Sequence, residues 1–181
     1  MATVVVIQGS PSSPSKTAAV VRVAEQMLRS GGVDTHRIDV RDLSPQALAT
    51  ADAAHVGIQA AVRRVLESDA VVVATPVYKA AYTGLLKLFL DLLPPRALEG
   101  KVVLPITTGG SPAHLLALDY ALKPVLAALG AKVFVSSVYV LDASIELGAP
   151  SPLQGADRER LDRSVEELRQ VLNPQQAAIL G

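Results

Sequence analysis

Ala74-Thr75-Pro76-Val77-Tyr78-Lys79-Ala80-Ala81-Tyr82-Thr83-Gly84-Leu85-Leu86-Lys87 is the stretch that decides the architecture. It starts where an apolar run, residues 70–74, ends, and it leads into a long apolar segment with helical spacing. An apolar run, then a proline-stiffened loop, then a helix reads as the carboxyl end of a buried parallel strand. In open α/β sheets ligands bind outside that edge. Two of the chain's four tyrosines sit in this loop, in a sequence only 3% aromatic. They mark it as one wall of a site for a flat ligand.

Upstream, residues 3–8 (TVVVIQ) are a short β-branched strand ending at Gly9-Ser10-Pro11. Residues 15–28 carry Val20, Val21, Ala24, Met27 and Leu28 at helical spacing, and Gly31-Gly32 stops them. Residues 33–40 read as a second, more exposed strand, 39–54 as polar and irregular, and 56–66 as a helix. Downstream, residues 82–93 read as a helix that is apolar almost all round, with Lys87 and Asp91 paired on its small polar face. A helix on a sheet needs only one apolar stripe, so the surplus leucines predict a subunit interface here. Residues 102–107 form a fourth strand running into Thr108-Gly109-Gly110-Ser111. Residues 114–129 read as a helix closed by Gly130, 132–141 as an alternating fifth strand, 148–155 as a loop, and 157–172 as a charged helix. The tail, 173–181, is expected to be loose. Five strands alternating with helices predict one α/β domain spanning 1–181: a five-stranded parallel sheet, order 2-1-3-4-5, with helices on both faces.

Composition narrows the function. The chain has 181 residues, half of them hydrophobic, and 17 basic residues balance 17 acidic ones. No basic field exists to attract nucleic acid or an anionic membrane. Without cysteine there is no disulfide framework, thiolate metal site or cysteine nucleophile, and the histidines show no metal-ligand spacing. The apolar runs are too short to span a bilayer. The N-terminus enters a strand pattern at Thr3 with no basic segment or cleavage site before it. A soluble cytoplasmic protein is the expectation.

In the 2-1-3-4-5 order three loops meet at one edge. The first, Gly9-Ser10-Pro11-Ser12-Ser13-Pro14-Ser15-Lys16-Thr17, enters a helix N-terminus, where N–H groups and the dipole favour an anion. Its hydroxyls and lysine suit a phosphate, although Ser15 also reads as a plain N-cap. It lacks the GxxxxGK[ST] spacing of a P-loop. The second offers Pro76, Val77, Tyr78 and Lys79 as the rim of a planar ring; the alternative is that Tyr78 and Tyr82 are ordinary half-buried tyrosines. The third has Gly109-Gly110, which lets a ligand approach the backbone or simply makes a tight turn. A phosphate pocket beside a ring pocket reads as a mononucleotide site, with FMN the leading ligand. No Ser-His-Asp or paired-carboxylate pattern is visible, which favours cofactor chemistry.

Gly9-Ser10-Pro11 with Ser15, residues 74–87, Leu92-Leu93-Pro94, Arg96-Ala97-Leu98, residues 100–105, Thr108-Gly109-Gly110 and residues 113–126 together resemble the NAD(P)H-dependent FMN reductases of the flavodoxin-like superfamily. They resemble most the alkanesulfonate-type reductases that supply reduced flavin to a two-component monooxygenase. The resemblance implies that Ser10, Ser15, Lys16 and Thr17 hold the FMN phosphate. It further implies that Pro76, Val77 and Tyr78 line the ring, and that Thr108, Gly109, Gly110 and Ser111 meet its polar edge. NADPH or NADH would reduce the flavin with no protein acid or base; orientation would carry the catalysis. The family's first loop often has arginine where this chain has Ser12, which leaves the choice between NADPH and NADH open. Pro124 lacks an N–H, so the carbonyl of Tyr120 loses its helical donor, and a bond from Val125 would make a π-bulge. In this subgroup a tyrosine at the matching position goes with a π-helix at a tetramer interface near the flavin, which implies a homotetramer, a dimer of dimers, and a flavin-release role for Tyr120. The chain has no tryptophan to clamp a flavin, which suits FMN used as a substrate. A prosthetic-FMN quinone or azo reductase and a flavodoxin-type electron carrier are the competing readings.

Overall fold

The computed structural model describes residues 1–173, so the tail expected to be loose lies almost wholly outside the described residues. In chain order the elements are β1 (Thr3–Gln8), α1 (Lys16–Ser30), β2 (Asp34–Asp39), the short α2 (Pro45–Ala49), α3 (Val56–Glu67), β3 (Ala70–Pro76), α4 (Gly84–Leu90), β4 (Val102–Gly109), α5 (Lys123–Ala128), β5 (Val133–Phe134), β6 (Val138–Leu141) and α6 (Gly155–Leu172). All strand pairs are parallel, in the order β2-β1-β3-β4-β5, with β6 also on β4. Ile7 lies between Ile38 and Val73, and Val73 opposite Pro105.

Alternation along the central strands builds two cores. Val4, Val6, Val72, Leu104 and Ile106 pack against Val20, Leu28, Leu161 and Val165 of α1 and α6. Val5, Ile7, Val71, Val73 and Val103 pack against Ile58, Val65, Leu86, Phe89 and Leu126 of α3, α4 and α5. Because both faces are covered, these strands are apolar throughout rather than alternating. Sheet order and two-sided helices match the sequence expectation, and the fold is flavodoxin-like.

Besides the short α2, capped by Ser44 inside the stretch read as irregular, three elements differ from that expectation. The fifth strand is two short strands on the same partner, broken at residues 135–137; there Val135 N donates to Val103 O (3.1 Å) while Ser136 N turns to Glu167 Oε2 of α6 (2.9 Å). The segment 82–93 is helical only over α4. Thr83 caps it, its Oγ1 accepting from Leu86 N (3.1 Å), and the chain leaves the helix after Leu90. The surplus leucines are absorbed internally: Leu86, Phe89, Leu90, Leu92 and Leu93 are buried within the chain, and of this segment's large apolar side chains only Leu88 is exposed, at 39%. The subunit interface expected on this helix therefore loses its physical basis. Lys87 Nζ does meet Asp91 Oδ1 at 2.7 Å. Third, segment 114–129 is a tight turn, then a π-helical turn over Leu118–Leu122, then α5. The π turn falls just before Pro124, where the missing N–H demands it. Exposed apolar surface gathers here, at Leu115, Leu116 and Tyr120, rather than on α4. Among the described residues no helix is long and apolar enough to cross a membrane.

Candidate functional site

The strand order sets the carboxyl ends of β1, β3 and β4 side by side, with Gln8 opposite Ala74 and Pro76 opposite Thr108. The three loops leaving them are cross-tied. Thr83 Oγ1 donates to Gly9 O (2.6 Å), joining the second loop to the first. Val77 N donates to Thr108 O (2.7 Å), joining the second to the third. The hydroxyls of Thr17 and Thr108 share a hydrogen bond of 2.7 Å, joining the first to the third. Ser12 Oγ and Tyr78 Oη meet at 3.2 Å across the outer rim. Gly9 makes the packing possible: a Cβ there would sit 2.6 Å from Leu86 Cβ, so only glycine lets α4 seat against the end of β1.

The first loop spends most of its side-chain groups on itself and its neighbours. Ser10 is buried and its Oγ accepts from Ser12 N (3.3 Å). Ser15 is the N-cap of α1, its Oγ accepting from Ala18 N (3.1 Å) and from Gln8 Nε2 (3.4 Å). Lys16 Nζ reaches over to donate to Asp142 O at 2.6 Å. Thr17 is buried in its tie to Thr108. The expected phosphate residues are therefore adjacent, but all four side chains already make hydrogen bonds within the scaffold. What remains for an anion is the N–H groups of Lys16 and Thr17 in the first turn of α1, which have no intrahelical acceptor. A cation does reach the loop: Arg41 Nη1 donates to Ser12 O (2.7 Å). Its role was hidden in the sequence, where residue 41 lies in an irregular polar stretch 29 residues away.

The second loop is a two-residue turn: Tyr78 N donates to Ala81 O (2.8 Å) and Ala81 N to Tyr78 O (3.1 Å). Its central residues, Lys79 (φ 50°) and Ala80 (φ 63°), are both left-handed without being glycine. That conformation costs about 1–2 kcal/mol per residue, and such strain collects where ligands are clamped. The turn holds Tyr78 half-exposed, above the half-buried Pro76 and buried Val77. Val77 packs with Ala117 and Tyr139, so this wall leans on the segment that enters the π turn.

In the third loop the two glycines differ. A Cβ on Gly109 would overlap Tyr139 Oη and lie 3.2 Å from its Cζ. The close approach at Gly109 is thus made by Tyr139, not left open for a ligand. Tyr139 Oη donates to Ser111 O (2.6 Å), and burial holds the phenol above its ordinary pKa. Gly110 has open space, its nearest neighbour being Asp142 Oδ2 at 3.9 Å from a built Cβ. Ser111 Oγ accepts from Ala113 N (3.2 Å) and starts the next turn. Tyr120, on the π turn, is 78% exposed, beside the Lys123–Asp119 ion pair (2.6 Å).

The family model for NADPH-dependent FMN reductase matches residues 2–145. The chain belongs to the NADPH-dependent FMN reductase family. A curated FMN reductase (NADPH) of Pseudomonas putida is 45% identical over 168 residues, covering 90% of this chain and 84% of the relative. One from Escherichia coli K12 is 43% identical over 142 residues, covering 78% and 74%. Among solved structures, an apo NADH:FMN oxidoreductase (EMOB) superposes with a TM-score of 0.88 at 39% identity, covering 96% of this chain and 91% of that one. The reductase described here is accordingly an oxidoreductase acting on FMN with a nicotinamide nucleotide.

The residues fit FMN. Donors for a phosphate stand at the α1 N-terminus, an apolar wall topped by Tyr78 stands beside β3, and Gly110, just beyond β4, has open space. A bound flavin supplies the hydride-accepting ring.

Proposed function

We propose that the reductase uses FMN as a dissociable substrate and delivers reduced flavin, in the cytoplasm, to a separate flavin-dependent monooxygenase of the alkanesulfonate type that serves sulfur acquisition. One observation carries this reading: the exposed apolar surface of Leu115, Leu116 and Tyr120 lies on the segment that braces the flavin wall through Ala117 and Val77. Large exposed apolar groups in a cluster mark an interaction site. A second copy seated there, in a homotetramer built as a dimer of dimers, would press on the same segment that shapes the flavin pocket. Assembly and flavin release then share one element, with Tyr120 as the contact.

In this reading the phosphate is held by the first-turn N–H groups of α1 beside Ser10, Ser15, Lys16 and Thr17. The ring lies along Pro76, Val77, Tyr78 and Lys79, and its polar edge meets Thr108, Gly109, Gly110 and Ser111. With no tryptophan in the chain, the wall offers one exposed tyrosine rather than an aromatic clamp, which favours release. Flavin titration of the purified protein followed by NAD(P)H oxidation, with and without added FMN, tests the reading. Turnover that requires added FMN, with affinity in the micromolar range, is the expected result. Stoichiometric FMN that survives dialysis and turns over only with a quinone or azo dye would refute it.

A further inference from the structure

Tyr139 stands on β6, opposite Thr107 of β4, and none of the flavin contacts named above includes it. Its hydroxyl donates to Ser111 O (2.6 Å) in the third loop. Its ring packs with Val77 of the flavin wall and with Ala117, where the chain approaches the π turn. Its Oη and Cζ take the space that a side chain on Gly109 would need. One residue of β6 thus meets the second loop, the third loop and the segment that braces them.

Ser111 is where this contact has most leverage. Its carbonyl also accepts from His114 N (3.1 Å), the bond that closes the turn Pro112–His114. Its Oγ accepts from Ala113 N (3.2 Å). The turn is therefore gathered onto Ser111, and the Tyr139 hydroxyl fastens that same residue to the sheet. Gly110, with open space beside it, is the next residue along the chain. Where Ser111 is held decides where the Gly110 backbone is presented.

Tyr139 also borders a cleft of about 330 Å³, together with Pro112, Leu115, Ser137, Leu141 and Arg160. A ring in a close-packed core keeps its place whatever its hydroxyl does. A ring beside a void of this size has room to move, so its place depends on the hydroxyl bond. Burial and the charge of nearby Asp142 hold the phenol above its ordinary pKa, against the opposing effect of the Ser111 bond. The group therefore stays an O–H donor throughout the neutral range.

We propose that Tyr139 is a positioning residue for flavin binding: its hydroxyl fixes the third loop so that Gly110 meets the ligand, and its ring backs the Val77 wall. The inference rests on the reading of the three loops as the flavin site. Tyr139→Phe tests it, because the ring stays and the tie is lost. FMN affinity, measured by equilibrium titration of flavin fluorescence without nucleotide, should fall about fivefold, the scale of one lost hydrogen bond. KM for FMN should rise with it, while kcat at saturating FMN holds, the pattern of lost uniform binding. In the flavin-free protein, amide exchange at Ala113 and His114 should quicken.

Ser68→Ala supplies the comparison. It removes the bond from Ser68 Oγ to Val65 O (2.9 Å), just before β3 and at the opposite end of that strand from the flavin edge, and should lower the thermal midpoint without changing FMN affinity. Wild-type FMN affinity in Tyr139→Phe would overturn the proposal. So would an equal loss in Ser68→Ala, which would reduce the effect to general stability, or a fall in kcat at saturating FMN, which would place Tyr139 in the chemistry. Gly110→Ala keeps the two readings apart. The open space beside Gly110 accepts a Cβ, so only a ligand there can object to it. Unchanged FMN affinity in Gly110→Ala would sink the site reading and the proposal together. A loss there with none in Tyr139→Phe would sink the proposal alone.

Discussion

Replacing Gly109 with alanine separates two explanations of why glycine stands at the end of β4. The added Cβ would collide with Tyr139 Oη and lie 3.2 Å from Cζ, so the ring must move. Overpacking of this kind costs about 1–3 kcal/mol. Movement also breaks the 2.6 Å bond from Tyr139 to Ser111 O, worth about 1 kcal/mol. Gly109→Ala should therefore lose about 2–4 kcal/mol. Tyr139→Phe alone should lose about 1 kcal/mol through the same bond. In the double variant the colliding oxygen is gone, and only the 3.2 Å contact to the ring carbon remains, which a few tenths of an ångström relieve. Its cost should fall short of the sum by about 1–2 kcal/mol, a coupling of the size that touching residues show. Equilibrium urea unfolding of the four proteins measures this cycle. Costs that simply add would refute the claim that Gly109 exists for Tyr139, and a loss confined to FMN affinity would return that glycine to the ligand.

Two further outcomes follow from the same geometry. Ala80→Gly removes a left-handed alanine (φ 63°) and should raise stability by about 0.5–1 kcal/mol, since the relief of about 1–2 kcal/mol is offset by the freer unfolded glycine; a thermal midpoint up by about 1–4 °C would register it, and a lower midpoint would show the turn to be unstrained. Lys101 is buried, donates to Leu66 O (2.9 Å) and Ser68 O, and is held below its ordinary pKa of 10.5 by burial, with Asp69 opposing. A lysine with a depressed folded value binds fewer protons folded than unfolded, so its contribution improves as pH rises through the folded value toward about 10.5. Wild type should gain stability over Lys101→Met across that window, and a flat or falling difference would contradict the burial.

The sheet was legible because its three central strands are buried on both faces, which leaves unbroken runs such as 70–74 that nothing else explains. The π turn was legible from Pro124, since a missing N–H is a covalent fact. Less legible were features set by distant contacts. Nothing local in 132–141 shows that Ser136 will leave the strand for Glu167 on α6, and nothing in 82–93 shows that Leu92 and Leu93 fold back into the core. At this edge the sequence placed the three loops together, as the structure does, but a count of hydroxyls could not show that Ser10, Ser15, Lys16 and Thr17 are already engaged. Arg41 was invisible for the same reason: only the fold brings it to Ser12. Tyr139 could have been suspected from its place near the carboxyl end of an alternating strand beside the third loop.

The four ties among the loops have one more implication. Thr83 to Gly9, Val77 to Thr108, Thr17 to Thr108 and Ser12 to Tyr78 join amides and hydroxyls, and none carries a charge at neutral pH. Ionic screening acts on charges, so the frame of the flavin edge should keep its shape from dilute buffer to strong brine. Any salt dependence in flavin affinity then reports the phosphate meeting its cations rather than a loosening of the loops, and the ionic strength of the buffer becomes a tool for weighing that one contact.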